Sequence, residues 1–158
     1  MRELKTEYIF SMQGTLGDPL AVGAGPEGFR QILPVSSGIV EGPRLNGKLA
    51  TAAGADWARI RSDGSFALDV RIVIEAENGD LIYVTYGGRI VAPNEEAQAI
   101  ALDFAKPDPE LGADRYYFRI NPLFETASEK YGWLNGIVAV GRGMSGADGV
   151  RYDIFQVK

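Results

Sequence analysis

The stretch FALDVRIVIEAENGDLIYVTY, residues 66–86, decides the fold. Along its first half Phe66, Leu68, Val70, Ile72 and Ile74 alternate with Ala67, Asp69, Arg71, Val73 and Glu75, the two-residue period of a strand with one buried face. Asn78-Gly79 supplies two residues that tolerate positive φ in a tight turn, and Leu81 to Tyr86 reads as the return strand. Upstream, Asp56 to Arg61 is extended and closes on the turn Ser62-Asp63-Gly64. Ahead of it lie Arg44 to Leu49, the turn Gly42-Pro43, and Ile39-Val40-Glu41, preceded by Ser36-Ser37-Gly38. Phe29 to Val35 follows a Gly/Pro-rich loop, and its Pro34 implies an edge position or a bulge. Glu3 to Thr15 reads as the opening strand.

Downstream, Pro93 to Ala105 is the one helix-like patch, and it fits equally a loop that covers something. Pro107-Asp108-Pro109 breaks it, Arg115 to Ile120 is extended again, and a turn falls around Ser128-Glu129-Lys130. Trp133 to Gly141 and Val150 to Val157 form the last pair, joined by the Gly-rich Arg142 to Gly149. Eight to ten strands and at most one short helix make the chain all-β. A single antiparallel β-barrel over residues 1–158 is the economical architecture, because closure removes exposed edges, and a β-sandwich is the alternative.

The chain has 158 residues with neither histidine nor cysteine. This excludes an imidazole base, a Ser-His-Asp triad, thiolate chemistry, disulfides and His/Cys metal sites. Chemistry, if present, falls to carboxylates, Tyr, Lys, Arg, Ser/Thr, Asn or the backbone. Sixteen Lys+Arg against 21 Asp+Glu give a net charge of −5, with the basic residues scattered, so neither nucleic acid nor an anionic membrane is expected as a partner. No apolar run is long enough for a membrane span and the first residues lack a signal-peptide pattern, so a cytoplasmic protein is expected. No phosphate loop, dinucleotide fingerprint or calcium loop is present, and no cofactor or metal is expected.

A barrel of about eight strands either fills its interior or leaves room for one small ligand. Asp56 beside Trp57, after the small-residue stretch Thr51 to Ala55, fits a carboxylate of raised pKa acting as general acid or base, and equally an Asx-turn carboxylate. Asp69 and Arg71 share a strand face, either a polar lumen or a solvated exterior. Tyr83 and Tyr86 lie on opposite faces of one strand, so at most one phenol points inward to stabilise an enolate. Arg119 and Glu125 flank the Pro122 bend, as an ion pair or as an anion clamp beside an acid/base group. Trp133 and Asn135 would offer an aromatic wall and an amide, or simply a core Trp with a turn Asn.

Several strings resemble a known family. They are Glu41-Gly42-Pro43 with Leu45-Asn46-Gly47, Gly54-Ala55-Asp56-Trp57, Leu68-Asp69-Val70-Arg71 and Tyr86-Gly87-Gly88. To these add Phe118 through Thr126, Lys130 through Asn135 and Val138-Ala139-Val140-Gly141. The family is that of domain of unknown function 3237, and the likeness covers nearly the whole chain. It implies one calycin-like β-barrel of a bacterial and fungal family without a settled activity. Ile120 departs from the Thr usual after the Phe-Arg motif, and the stretch 92–114 fits a substrate-selecting lid.

The leading expectation is a cofactor-independent enzyme doing proton-transfer chemistry, as a lyase, isomerase, cyclase or hydratase, on a small organic molecule in the barrel. Asp56 would be the base and Glu125 the paired acid, with Tyr83 or Tyr86 donating a hydroxyl. Arg71 and Arg119 would bind an anionic oxygen, Trp57 and Trp133 would form the wall, and Asn135, Asp69 and Glu41 would add polar contacts. The rival readings are a non-catalytic small-molecule-binding barrel and a structural subunit packed shut. Self-association stays open.

Overall fold

The computed structural model describes residues 2–50 and 54–158. The chain forms strands β1 (Thr6–Leu16), β2 (Leu20–Gly25), β3 (Gly28–Glu41), β4 (Gly47–Leu49), β5 (Ala55–Ile60), β6 (Phe66–Ala76) and β7 (Leu81–Val91). Helix α1 (Glu95–Ala101) follows, then β8 (Tyr117–Ile120), β9 (Leu123–Glu125), a 3₁₀ turn (Gly132–Gly136), β10 (Ala139–Gly146) and β11 (Gly149–Val157). The order β6-β5-β3-β1-β11-β10-β8-β7 returns from β7 to β6, so eight antiparallel strands close a barrel. Strands β2, β4 and β9 attach at its rims. No helix among the described residues is long and apolar enough to cross a membrane.

The hairpin β6–β7 runs from Phe66↔Ile90 to Glu75↔Leu81 across the Asn78-Gly79 turn, where Gly79 takes φ 86°. Phe66, Leu68, Val70, Ile72 and Ile74 are all buried, as the alternation requires. Elsewhere the elements depart from the sequence reading. The Gly/Pro-rich segment before Phe29 is a strand, β2, hairpinned onto β3. Ser36-Ser37-Gly38 continues β3 without a break, and Gly38 is needed there because a Cβ would stand 2.5 Å from a methyl of Leu49. Pro34, which has no N–H to donate, sits where β3 changes partner from β5 to β1, beside a register shift at Thr15/Leu16.

Residues 133–136 are a 3₁₀ turn and not a strand, with Leu134 N–H bonded to the Tyr131 carbonyl and its side chain fully buried. The expected Gly-rich loop 142–149 is mostly strand. Only Ala147-Asp148 turn the chain, both at positive φ (52° and 59°), the geometry of a tight I′ hairpin. The glycines of β10 serve packing: a Cβ on Gly143 would lie 2.5 Å from the Phe118 ring, and one on Gly141 would lie 2.5 Å from Ile120.

Phe10, Ile74, Ile82, Leu134 and Ile154 fill one end of the barrel, with Phe10 edge-on to Phe124. Across the other end run α1 and the loop behind it. The Asn94 side chain accepts from Ala97 N–H at 2.9 Å and starts the helix, with Glu95 and Glu96 in its first turn. The segment is tied down by Ser145, whose hydroxyl donates to the Ala101 carbonyl, and by buried Lys106, whose ammonium donates to the Ile100 carbonyl at 3.2 Å. The Lys106 carbonyl accepts from Ala147 N–H at the β10–β11 turn.

Candidate active site

Beneath that cover the barrel holds a small pocket, open on one side, with a cavity volume of about 40 Å³. Leu33, Val35, Phe66, Leu68, Val70, Ile90 and Phe118 make it apolar from the wall side, while Leu102 and Phe104 close it from the covering loop. Four polar side chains interrupt this lining: Gln31, Asp56, Tyr86 and Tyr152.

Asp56 is 9% exposed and is built into the barrel wall. The β5–β6 ladder pairs Ala55↔Arg71, Asp56↔Val70, Arg59↔Ala67 and Ile60↔Phe66, and lapses between them. In that gap the Asp69 N–H donates to Asp56 Oδ1 at 3.0 Å, and the Trp57 carbonyl accepts from the Arg30 guanidinium at 2.7 Å. Side chains thus satisfy a donor and an acceptor that the ladder leaves unpaired. Burial pushes the Asp56 carboxyl up to about 6, and the nearby Asp69 charge adds to this. The Asp69 N–H and the Arg30 charge work in the opposite direction. Loss of hydration outweighs the one bond and a distant cation.

Tyr86 and Tyr152 are buried side by side, ring centroids 5.4 Å apart and edge to face. Phe118 presses edge-on against the other side of Tyr152, also at 5.4 Å, in the space that Gly143 leaves by lacking a Cβ. Burial holds both phenols well above the ordinary tyrosine value, and the Asp56 charge raises them further. Their mutual contact lowers Tyr86 and raises Tyr152. Both are therefore neutral hydrogen-bond donors throughout the physiological range. Among the described residues no three Asp, Glu, His or Cys side chains gather as a metal-binding group.

Of the residues singled out in the sequence, Asp56 and Tyr86 line this pocket. Tyr83 faces outward on β7, opposite Glu125 of β9, and both are exposed. Asp69 and Arg71 pair with each other on the outer face at 3.4 Å, and the Arg71 guanidinium lies 5.4 Å over the Trp57 ring. Arg119 is also outside, against Tyr117 and the Phe118 carbonyl, so it forms no clamp with Glu125. Trp133 is stacked under Arg44 at 3.5 Å, and Asn135 closes a loop by exchanging two hydrogen bonds with the Thr126 backbone. Glu41 is exposed at the end of β3. One rule explains these placements: a charged strand residue turns to water unless the wall offers it a partner. Part of the small-residue stretch before Asp56, residues 51–53, lies outside the described residues.

Tyr152 and Gln31 also line the pocket, and the strand period carries a signal for both. In Val150 to Val157, Tyr152 alternates with Val150 and Ile154 on the inner face, which was readable from the period alone. Gln31 alternates in the same way with Leu33 and Val35.

The family model "Protein of unknown function (DUF3237)" matches residues 4–157. A UPF0311 protein from Rhodopseudomonas palustris is 34% identical over 155 residues, covering 98% of this chain and 97% of that protein. The crystal structure of a conserved protein of unknown function from the same species superposes over 100% of both chains with a TM-score of 0.88 at 30% identity. More distantly, the hydroalkoxylation enzyme phnH of Penicillium herquei is 25% identical over 135 residues, covering 85% of this chain and 71% of that enzyme.

Proposed function

The chain belongs to the DUF3237 family, and from that premise we propose that it is an enzyme of proton-transfer chemistry acting on a small organic molecule in the barrel pocket. The observation that carries this reading is one ionisable carboxyl, Asp56, set in an apolar pocket beside two neutral phenols. A carboxyl poised at about 6 is ionised in roughly nine of ten molecules at neutral pH, yet takes up a proton readily. Tyr86 and Tyr152 donate to an oxygen that gains negative charge. That combination suits an isomerase, a lyase or hydratase, or a cyclase, in which a proton leaves one atom and returns to another.

Addition of a hydroxyl across an alkene conjugated to a carbonyl illustrates the balance. Asp56 accepts the hydroxyl proton as the new C–O bond forms. The alkene's electron pair moves onto the carbonyl oxygen, where the phenols hold the enolate. The Asp56 carboxylic acid then returns the proton to carbon, and the group ends as it began. Hydroalkoxylation, the reaction in the name of the Penicillium herquei relative, is addition of an alcohol O–H across an alkene.

An ortho-hydroxyphenyl enone, which closes to a chromanone with a change in absorbance, tests the proposal. The wild-type protein should accelerate closure, and Asp56→Asn should lower the rate by about a hundredfold or more, in the range of a lost general base. Full turnover in Asp56→Asn would remove the base from the scheme. Binding of the enone without acceleration would point instead to a non-catalytic binding barrel.

A further inference from the structure

Gln31 is the fourth polar group of the pocket and the one that acid–base chemistry does not use. It sits on the inner face of β3 with Leu33 and Val35, opposite Ala58 of β5. Gln31 is half-buried, so its carboxamide is open to a ligand, whereas the neighbouring Asp56 carboxylate is buried and bonded to Asp69 N–H. Ala58 is fully buried and too small to fill the space in front of the amide. Leu33 pairs with Asp56 and Gln31 with Ala58, so Gln31 and Asp56 are diagonal neighbours across one strand pair. Such neighbours lie about 7–8 Å apart, a spacing that one substituted ring can bridge. An amide carries both a donor and an acceptor, and leaving it unpaired against an apolar ligand is unfavourable.

The charge of the pocket narrows the ligand further. Among the described residues Asp56 is its only ionisable carboxyl and no Lys or Arg lines it. Arg71 and Arg119 both stand on the outer face. An anionic substrate would meet a carboxylate, since the Arg30 charge that acts on Asp56 stands outside the lining, bonded to the Trp57 carbonyl.

We propose that Gln31 is the specificity-determining residue of this pocket, and that the substrate class is an uncharged, largely apolar ring compound with two oxygen functions. One oxygen sits at Asp56 and the two phenols, and the second, a hydroxyl or carbonyl, is read by the Gln31 amide. This rests on the reading of the pocket as the substrate site, not on the proton transfer itself.

The test uses three probes: the ortho-hydroxyphenyl enone, its analogue with a second hydroxyl across the ring, and the analogue with a carboxylate in that place. Binding is measured by calorimetry at pH 8 in the wild type, in Gln31→Met, in Gln31→Leu and in Asp56→Asn. The second hydroxyl should tighten wild-type binding about tenfold, the scale of one neutral hydrogen bond. That ratio should fall to about one in whichever Gln31 variant is folded by circular dichroism. The carboxylate analogue should bind the wild type at least tenfold more weakly than the hydroxyl analogue. A ratio unchanged by both Gln31 variants, a preference for the carboxylate, or no binding of any probe at millimolar concentration overturns the proposal. Because Asp56→Asn still reports the hydroxyl ratio, an intact Gln31 effect without turnover defeats the proton-transfer reading alone. Turnover without a Gln31 effect defeats this one alone.

Discussion

Asp56→Asn should make the protein more stable at pH 8 and leave its stability at pH 4 nearly unchanged. Burial takes the carboxyl from its ordinary 3.8 to about 6. At 1.36 kcal/mol per pH unit, ionising it in the folded protein is unfavourable by roughly 3 kcal/mol. The native state holds this proton more tightly than the unfolded chain, so the associated stability is fully present below 3.8 and is lost as pH rises through about 6. Asparagine carries no charge and escapes that loss. Its Oδ1 still accepts from Asp69 N–H, and the stronger bond made by the charged form is already contained in the net rise to about 6. The gain is therefore about 3 kcal/mol at pH 8, or roughly 6–12 °C in Tm for a chain of this size. Urea unfolding of both proteins at pH 4 and pH 8 isolates the ionisation, since the two proteins differ at this one group. An equal difference at both pH values, or a less stable Asn variant at pH 8, would refute the view that the carboxylate is held ionised against its surroundings. A residue whose loss stabilises the fold while abolishing turnover bears the signature of a site kept for chemistry.

The same titration governs rate: kcat/KM for enone closure should rise with pH through about 6 and then level off, and a flat profile between pH 5 and 8 would exclude Asp56 as the base. Tyr86→Phe and Tyr152→Phe should each lower kcat by about a hundredfold, as for a lost oxyanion donor, and steady-state rates within twofold of wild type in both would exclude that role. Gly143→Ala should destabilise by about 1–3 kcal/mol, because its methyl meets the Phe118 ring that braces Tyr152. Chemical denaturation measures the loss, and an unchanged midpoint would show that Phe118 can move away freely.

The barrel was legible because the alternation in residues 66–76 and the Asn78-Gly79 turn are local signals. Glycine misled elsewhere. Gly143 looks like a turn residue in sequence, but its role is to admit Phe118 from a strand more than twenty positions away. The Trp133–Asn135 alternation likewise suggested a strand, while the buried Leu134 between them is what the 3₁₀ turn delivers to the core. Period-two reading assigns residues to two faces but does not say which face is inside. It therefore kept Asp69 and Arg71 as candidates until the register showed them outside with Arg119. Asp56 stood out by its aromatic neighbour, yet Trp57 points to the other face and stacks under Arg71. The residue was found for a reason other than the one that buries it.

The gap in the β5–β6 ladder restricts what can stand at position 56, whatever the pocket does. Since the Asp69 N–H depends on the side chain at position 56, that position can drift only to residues that present an acceptor oxygen at the same reach. Asn meets this requirement, whereas an apolar residue would strand a backbone donor at a loss of about 1–3 kcal/mol. A chain without Asp56 would therefore still need an oxygen at this seam. The oxygen at position 56 is thus a requirement of the wall before it is a feature of the pocket.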